Sequence, residues 1–228
     1  MTATIALFDI DGTLINSGGA GRRAMDQALR ELGCSGAAFS MAGMTDRAIA
    51  RRALQEGGCP DSDAAINAVL DRYLAVLRGT LGAQVRVLAG VTQLIQQLRL
   101  CSQLRLGLGT GNVAAGAQLK LATTGLWPFF DFGGFGCDAE LRAPLLRVAA
   151  ERGALQAGLP LAACRVLVVG DTVHDIAAAR ANDFECLAVA SGGSSRDSLA
   201  QHQPQLLVDS LEDPRALQWL TATAQIGG

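Results

Sequence analysis

Two carboxylates, Asp9 and Asp11, stand two residues apart at the end of an apolar run, and Gly12 and Thr13 follow at once in "ALFDIDGTLINS". Strand propensity does not call for Asp or Gly here, since both are depleted in strands. An Asp-Gly turn would account for the pair locally. A chemical account is available too. In extended chain, residues i and i+2 share a face about 6.6 Å apart, so both acids would aim into one site. Two other places carry matching residue types: "GTGN" at 109–112 supplies Thr110, Gly111 and Asn112, and "GDTVHD" at 170–175 supplies Asp171, Thr172 and Asp175. Asp171 and Asp175, at i, i+4 on an opening helical turn, would be neighbours.

Four carboxylates converging without a nearby lysine would repel unless a cation sat among them. All-oxygen ligation by carboxylate, carbonyl and water is what Mg²⁺ favours. Amides around Gly12, and those opening the helix after Gly111, would form an anion cradle beside it. A divalent cation, an anion cradle and one carboxylate free to attack describe a phosphoryl-transfer site.

Such convergence requires the three stretches to end at one sheet edge. Residues 4–8, 104–108, 132–135, 165–169 and 186–190 read as short apolar strands, and helical patterns at 113–123, 140–157 and 174–181 separate the later ones. Continuous apolar strands alternating with helices predict an α/β fold with a parallel sheet covered on both faces. Ligands of such sheets bind beyond the carboxyl ends of the strands. Residues 17–85 break the rhythm with three amphipathic helical patterns (20–32, 45–56 and 63–79) and no convincing strand. The chain therefore divides into an α/β core of residues 1–16 and 86–228 and an inserted all-helical domain of residues 17–85.

Composition narrows the partners. Half of the 228 residues are hydrophobic, 18% are charged, and the net charge is −2. No Lys/Arg run forms a nucleic-acid footprint, and no segment approaches the ~20 apolar residues of a membrane span. Six scattered cysteines without a C-x-x-C pair, and only two histidines, argue against a disulfide scaffold or structural zinc. The expectation is a soluble cytoplasmic protein with reduced thiols and a small-molecule partner. Oligomeric state is not set by the sequence.

"DIDGT" at 9–13, "GTGN" at 109–112 and "GDTVHD" at 170–175 resemble motifs I, II and IV of the haloacid dehalogenase superfamily, and the helical insertion resembles that family's C1 cap. The resemblance implies a Rossmann-like core and Mg²⁺-dependent chemistry through an aspartyl-phosphate. It implies Asp9 as nucleophile, Asp11 as general acid and then base, and Thr110 as holder of a phosphoryl oxygen. Asp171 and Asp175 would anchor the metal with Asp9 and the backbone carbonyl of Asp11. An acid at position 11 separates phosphate-ester enzymes from the family's dehalogenases and phosphonatases. The implied activity is that of a phosphomonoesterase acting on a small phosphorylated metabolite, similar to phosphoglycolate phosphatase. Asp11 must hold a proton while the alcohol leaves, so its pKa is expected above the ordinary value of about 3.9.

Three points stay open at this level. The family's motif III lysine has no direct counterpart. Arg142, in "GFGCDAELRAPLL", stands in its place; Lys120, the only lysine, is the alternative ammonium and a candidate phosphate-binding residue, although it lies eight residues past Asn112, ~12 Å up a helix, where the bland reading is a solvated face. "AGMTDRAI" at 42–49 is either a substrate-facing loop, with Thr45, Asp46 and Arg47 as selectivity residues, or a helix start capped by Thr45. His174 is expected to order the loop around Asp175. A β-phosphoglucomutase-like mutase, with Arg47 as clamp for a second phosphate, uses nearly the same core residues. A receiver-type phospho-acceptor switch is the remaining alternative, and the helical insertion and the second Asp of motif I argue against it.

Overall fold

The computed structural model describes residues 3–35, 38–82 and 84–222. Ala3–Phe8 (β1) has apolar side chains nearly throughout, so both its faces must be covered. It lies inside a six-stranded sheet with Leu104–Gly109 (β4), Phe132–Gly134 (β5), Cys164–Gly170 (β6), Glu185–Val189 (β7) and Leu206–Val208 (β8), in the order β5-β4-β1-β6-β7-β8. Every neighbouring pair in that sheet is parallel. Alternate residues of β1 serve opposite layers. Ala6 and Phe8 join one apolar cluster with Leu106 and Leu167, and Ile5 and Leu7 join another with Leu145 and Val168. The first layer is closed by Val91–Arg99 (α4), Ala114–Ala122 (α5) and Pro214–Thr221 (α9), the second by Arg142–Ala157 (α6), Val173–Arg180 (α7) and Arg196–Gln201 (α8).

Register aligns the strand ends. Phe8 pairs with Leu108 on one side and Val169 on the other. The next residues of the three strands therefore emerge at one level, at β1, where the strand order reverses and such sheets open a crevice.

Between β1 and β4 the chain forms Ala20–Glu31 (α1), Asp46–Glu56 (α2) and Asp63–Thr80 (α3), flanked by a two-residue antiparallel ribbon of Ile15–Asn16 (β2) and Arg86–Val87 (β3). Thr45 and Ser62 cap α2 and α3, each accepting a backbone N–H three residues on. These helices bury their own apolar cluster, including Met25, Leu29, Ile66 and Tyr73, with Val113 joining from the sheet layer.

Two findings differ from the sequence expectation. The ribbon, α4, α8, β8 and α9 were not anticipated, and most are too short to carry a periodic signal. Cys34 and Cys59 form a disulfide, with Cα atoms 6.4 Å apart, so the expectation of uniformly reduced thiols is corrected at this pair. They follow the C-terminal ends of α1 and α2, which only the packing of those helices brings together. Among the described residues no helix is long and apolar enough to cross a membrane.

Candidate active site

Asp9 follows β1 directly, and its N–H donates to the Val169 carbonyl at 2.9 Å, which locks it to β6. Its carboxylate is buried beside those of Asp171 and Asp175, and one oxygen from each of the three lies within 4.8 Å of the others. Arg142, the first residue of α6, reaches into this group. Its Nη2 lies 2.8 Å from Asp9 Oδ2 and 2.7 Å from Asp175 Oδ1, and its Nη1 donates to the Gly43 carbonyl at 3.3 Å. Burial would weaken the guanidinium, but Asp175 and Asp9 outweigh it and hold Arg142 firmly charged. Burial is also the main cause that raises Asp9 to about 6 and Asp171 to about 7, with neighbouring carboxylates adding to it.

The other acids are held more tightly than the motif spacing suggests. Asp175 completes a reciprocal capping box: its Oδ2 accepts from the N–H and hydroxyl of Thr172, whose Oγ1 accepts from the Asp175 N–H. Oδ2 of Asp175 is thus taken up by the loop, and Oδ1 faces the Arg142 guanidinium. Asp171 Oδ1 accepts from Thr13 Oγ1 at 3.0 Å, and Oδ2 accepts from the Gly193 N–H. Gly12 closes the turn between them at φ +84°, and a Cβ there would collide with the Asp171 carboxylate, so no other residue fits. His174 packs its ring against Gly43, in the loop before α2.

Asp11 faces a separate cluster. Its Oδ1 accepts from Ser17 Oγ at 2.9 Å, and its Oδ2 accepts from Asn112 Nδ2 at 3.0 Å and Lys120 Nζ at 2.5 Å. Asn112 also donates to Thr110 Oγ1 at 2.9 Å and accepts from Lys120 at 2.6 Å. Two expectations are corrected here. Lys120, the alternative ammonium, is buried inside the site, which removes the solvated-face reading and the objection from its distance along the helix. A rise counted between α-carbons ignores that helical side chains lean toward the N-terminus, and a lysine stem covers the remaining distance. Asp11, in turn, is shifted down, not up. Burial would raise it, but the Lys120 charge and the hydrogen bonds from Lys120, Asn112 and Ser17 together hold its carboxyl below the ordinary range.

Of the three residues at the start of α2, only Asp46 reaches the cavity. Its N–H donates to the Gly111 carbonyl and its Oδ2 accepts from the Val113 N–H, both at 2.8 Å, so it ties α2 to the loop after β4. Thr45 is the N-cap, with its hydroxyl on the Glu140 carbonyl. Arg47 lies outside the cavity and binds Asn67 and Asp63, each at 2.8 Å. Burial raises the Asp46 carboxyl to about 6, against the opposing pull of Lys120 and the Val113 amide. A folded pKa above the unfolded one means that the ionised acid costs stability, absent below pH 4 and fully present above pH 6. Asp46→Asn, which keeps an acceptor for Val113, is expected to raise the melting temperature at pH 7.5, by an amount worth up to about 3 kcal/mol. The gain should vanish at pH 4, and thermal melts across that range check it.

Sequence reasoning missed Thr13, Ser17, Tyr73 and the loop 191–194 after β7. Ser191 Oγ donates to the Gly12 carbonyl at 2.7 Å, and the Ser194 N–H donates to the Asp171 carbonyl at 3.2 Å. The strand-end rule applied to "CLAVASGGSS" would have pointed to that loop. Tyr73 carried no local signal, being one apolar-face position of a long helix.

The acids, the paired cations and the strand-end amides meet in one cavity of about 350 Å³. Three carboxylates against one guanidinium leave an excess of negative charge, and their all-oxygen donor set fits a hard divalent cation. The fold and this acid-lined cleft define a parallel α/β protein with a candidate divalent-cation site at the carboxyl edge of its sheet. The chain belongs to the haloacid dehalogenase-like hydrolase family, whose model matches residues 6–189. It is 28% identical over 221 residues to a protein named probable phosphatase IndB from Dickeya dadantii (strain 3937), covering 92% of this chain and 90% of that one. Among solved structures it resembles a hydrolase from Pseudomonas syringae (TM-score 0.73, 21% identity, 96% of this chain and 100% of that chain). A structure described as a predicted phosphoglycolate phosphatase from Haemophilus somnus 129PT is similar as well (TM-score 0.69, 19% identity, 95% and 98% of the two chains). These structural likenesses concern the fold.

Proposed function

We propose that the protein is a Mg²⁺-dependent phosphomonoesterase that hydrolyses a small phosphorylated metabolite through a phosphoryl group carried on Asp9. The observation that carries the reading is the division of labour between the two acids of "DID". Asp9 lies in the buried acidic cluster against Arg142, and Asp11 turns away to Ser17, Asn112 and Lys120. One carboxylate is thus presented for attack and the other for proton traffic.

Asp9, Asp171 and the backbone carbonyl of Asp11 would hold the cation, with Asp175 orienting Arg142 beside them. When bound, Mg²⁺ would offset charge on the phosphoryl oxygens and the attacking carboxylate. Thr110, Asn112 and the amides near Gly12 and Gly111 would bind the remaining phosphoryl oxygens. Asp11, kept ionised by Lys120, is suited to activate water in the second half-reaction, and the Lys120 ammonium places a proton on the leaving-group side for the first. Helices α1–α3, entered and left through the β2–β3 ribbon, would act as a cap that excludes bulk water while the ester is bound.

The mutase reading needs a cation from the helical segment for a second phosphate. Arg47, the residue considered for that clamp, is held by Asp63 and Asn67 outside the cavity, which supports the phosphatase reading. Phosphate release is expected to stop in excess EDTA and return with Mg²⁺. Ca²⁺ should inhibit, because its looser coordination shell disturbs in-line geometry. Full turnover by metal-free protein would overturn the metal assignment.

A further inference from the structure

Met25, Met41 and Met44, every methionine of the chain after Met1, line the cavity with Ile49 and Tyr73. Met25 comes from α1, Met41 and Met44 from the loop before α2, Ile49 from α2 and Tyr73 from α3. Three helices and a loop therefore bring soft apolar surface to one wall, and thioethers mould readily to an irregular apolar partner. The volume of about 350 Å³ suits a small ligand.

Arg22 of α1 and Asp46 of α2 also face the cavity, each already bonded within the protein, and Tyr73 is the polar group of that wall with no such bond. Tyr73 is the only tyrosine, is 1% exposed, and has no hydrogen-bond partner among the described residues. A Cβ placed on Gly21 would lie 3.8 Å from its hydroxyl and 3.2 Å from Lys120 Nζ, so glycine there leaves the corner beside both groups open. Burial pushes the Tyr73 phenol well above its ordinary pKa, so it remains a neutral donor. The hydroxyl faces the cavity that Tyr73 lines, where a polar group of a ligand can meet it.

The charges exclude a second anion. Lys120 is engaged by Asp11 and Asn112, Arg142 by Asp9 and Asp175, and Arg22 by Asp26 and the Phe39 carbonyl. Four carboxylates, those of Asp9, Asp11, Asp46 and Asp171, line the same cavity. A carboxylate on the leaving group would be desolvated there with no cation to receive it. A sugar would press several hydroxyls against thioethers and Ile49, which offer them no hydrogen bonds, and would have to compete with the Phe39 carbonyl and the Val113 amide for Arg22 and Asp46.

We infer, granting the phosphomonoesterase reading on which this rests, that the substrate is the phosphate ester of an uncharged alcohol with an apolar body. A single polar group on that body would meet the Tyr73 hydroxyl. The test compares kcat/KM in Mg²⁺ for four alkyl esters, benzyl phosphate, 3-hydroxybenzyl phosphate, phosphoglycolate and glucose 6-phosphate, with p-nitrophenyl phosphate as reference. Both benzyl esters should exceed phosphoglycolate and glucose 6-phosphate by about tenfold or more. Tyr73→Phe should lower the ratio of 3-hydroxybenzyl to benzyl phosphate, and Met41→Lys, which adds a cation at a half-buried position, should raise phosphoglycolate relative to benzyl phosphate. Phosphoglycolate or glucose 6-phosphate turned over as well as benzyl phosphate overturns the inference and leaves the phosphatase reading standing. Ratios unmoved in both variants likewise overturn it. No release from any ester, p-nitrophenyl phosphate included, overturns the proposed function and this inference with it.

Discussion

Asp9→Asn is expected to abolish turnover, lowering kcat on the order of 10⁵-fold or more, as loss of an attacking group does elsewhere. An amide keeps the shape and the backbone bond to Val169 but offers phosphorus no anionic oxygen. The fold should survive. Asp9 is buried with its pKa raised to about 6, so its ionised form costs stability once the pH passes that value. In metal-free buffer at pH 8 the variant should therefore melt no lower than the parent, with Asp175 still pairing Arg142. Steady-state phosphate release and thermal melts in parallel provide the check. Release near the parental rate would remove Asp9 from the role of nucleophile.

Arg142→Ala is expected to damage both activity and stability. Among the described residues the guanidinium is the one side-chain cation in contact with Asp9 and Asp175, and Asp171 lies in the same cluster. Removing one partner of a buried ion pair leaves uncompensated charge, worth about 3–5 kcal/mol. A loss of about 10²–10³ in kcat is expected from the missing contact to the transferring group. Mg²⁺ should recover part of the stability, because it offsets the same carboxylates, but not the rate. Lys120→Ala, which frees Asp11 without touching Asp9, should cost less kcat. The reverse order would make Lys120 the principal cation of the site.

These two cations show where the sequence was readable. Arg142 could be placed because a missing motif III lysine leaves a gap at a known point before β6, and an arginine stands there. Lys120 could be named as the alternative ammonium but not placed, because linear distance along a helix says nothing about where a four-carbon stem bends, or which acid waits at its end. The Asp11 pKa was misjudged for the same reason. Burial alone raises a carboxyl, and the lysine that reverses the sign lies 109 residues away in sequence. Arg47 shows the converse, since its partners Asp63 and Asn67 sit on a helix whose packing no local pattern reveals.

What the sequence determined by itself was whatever depends on local pattern. Apolar runs of strand length, interleaved with helical periodicity, required a covered parallel sheet, and its carboxyl edge had to receive Asp9, Thr110 and Asp171 because strand polarity fixes which end each loop leaves from. The insertion of α1–α3 was legible too, since three amphipathic patterns in succession have no strand to pack on within their own segment. The tertiary structure alone decided the pairings: Lys120 with Asp11, Cys34 with Cys59, Arg142 between Asp9 and Asp175, and three methionines with Tyr73 on one wall. Each depends on the relative placement of elements far apart in the chain. That placement is set by the summed packing of three apolar clusters, to which no single residue's neighbours in sequence give access.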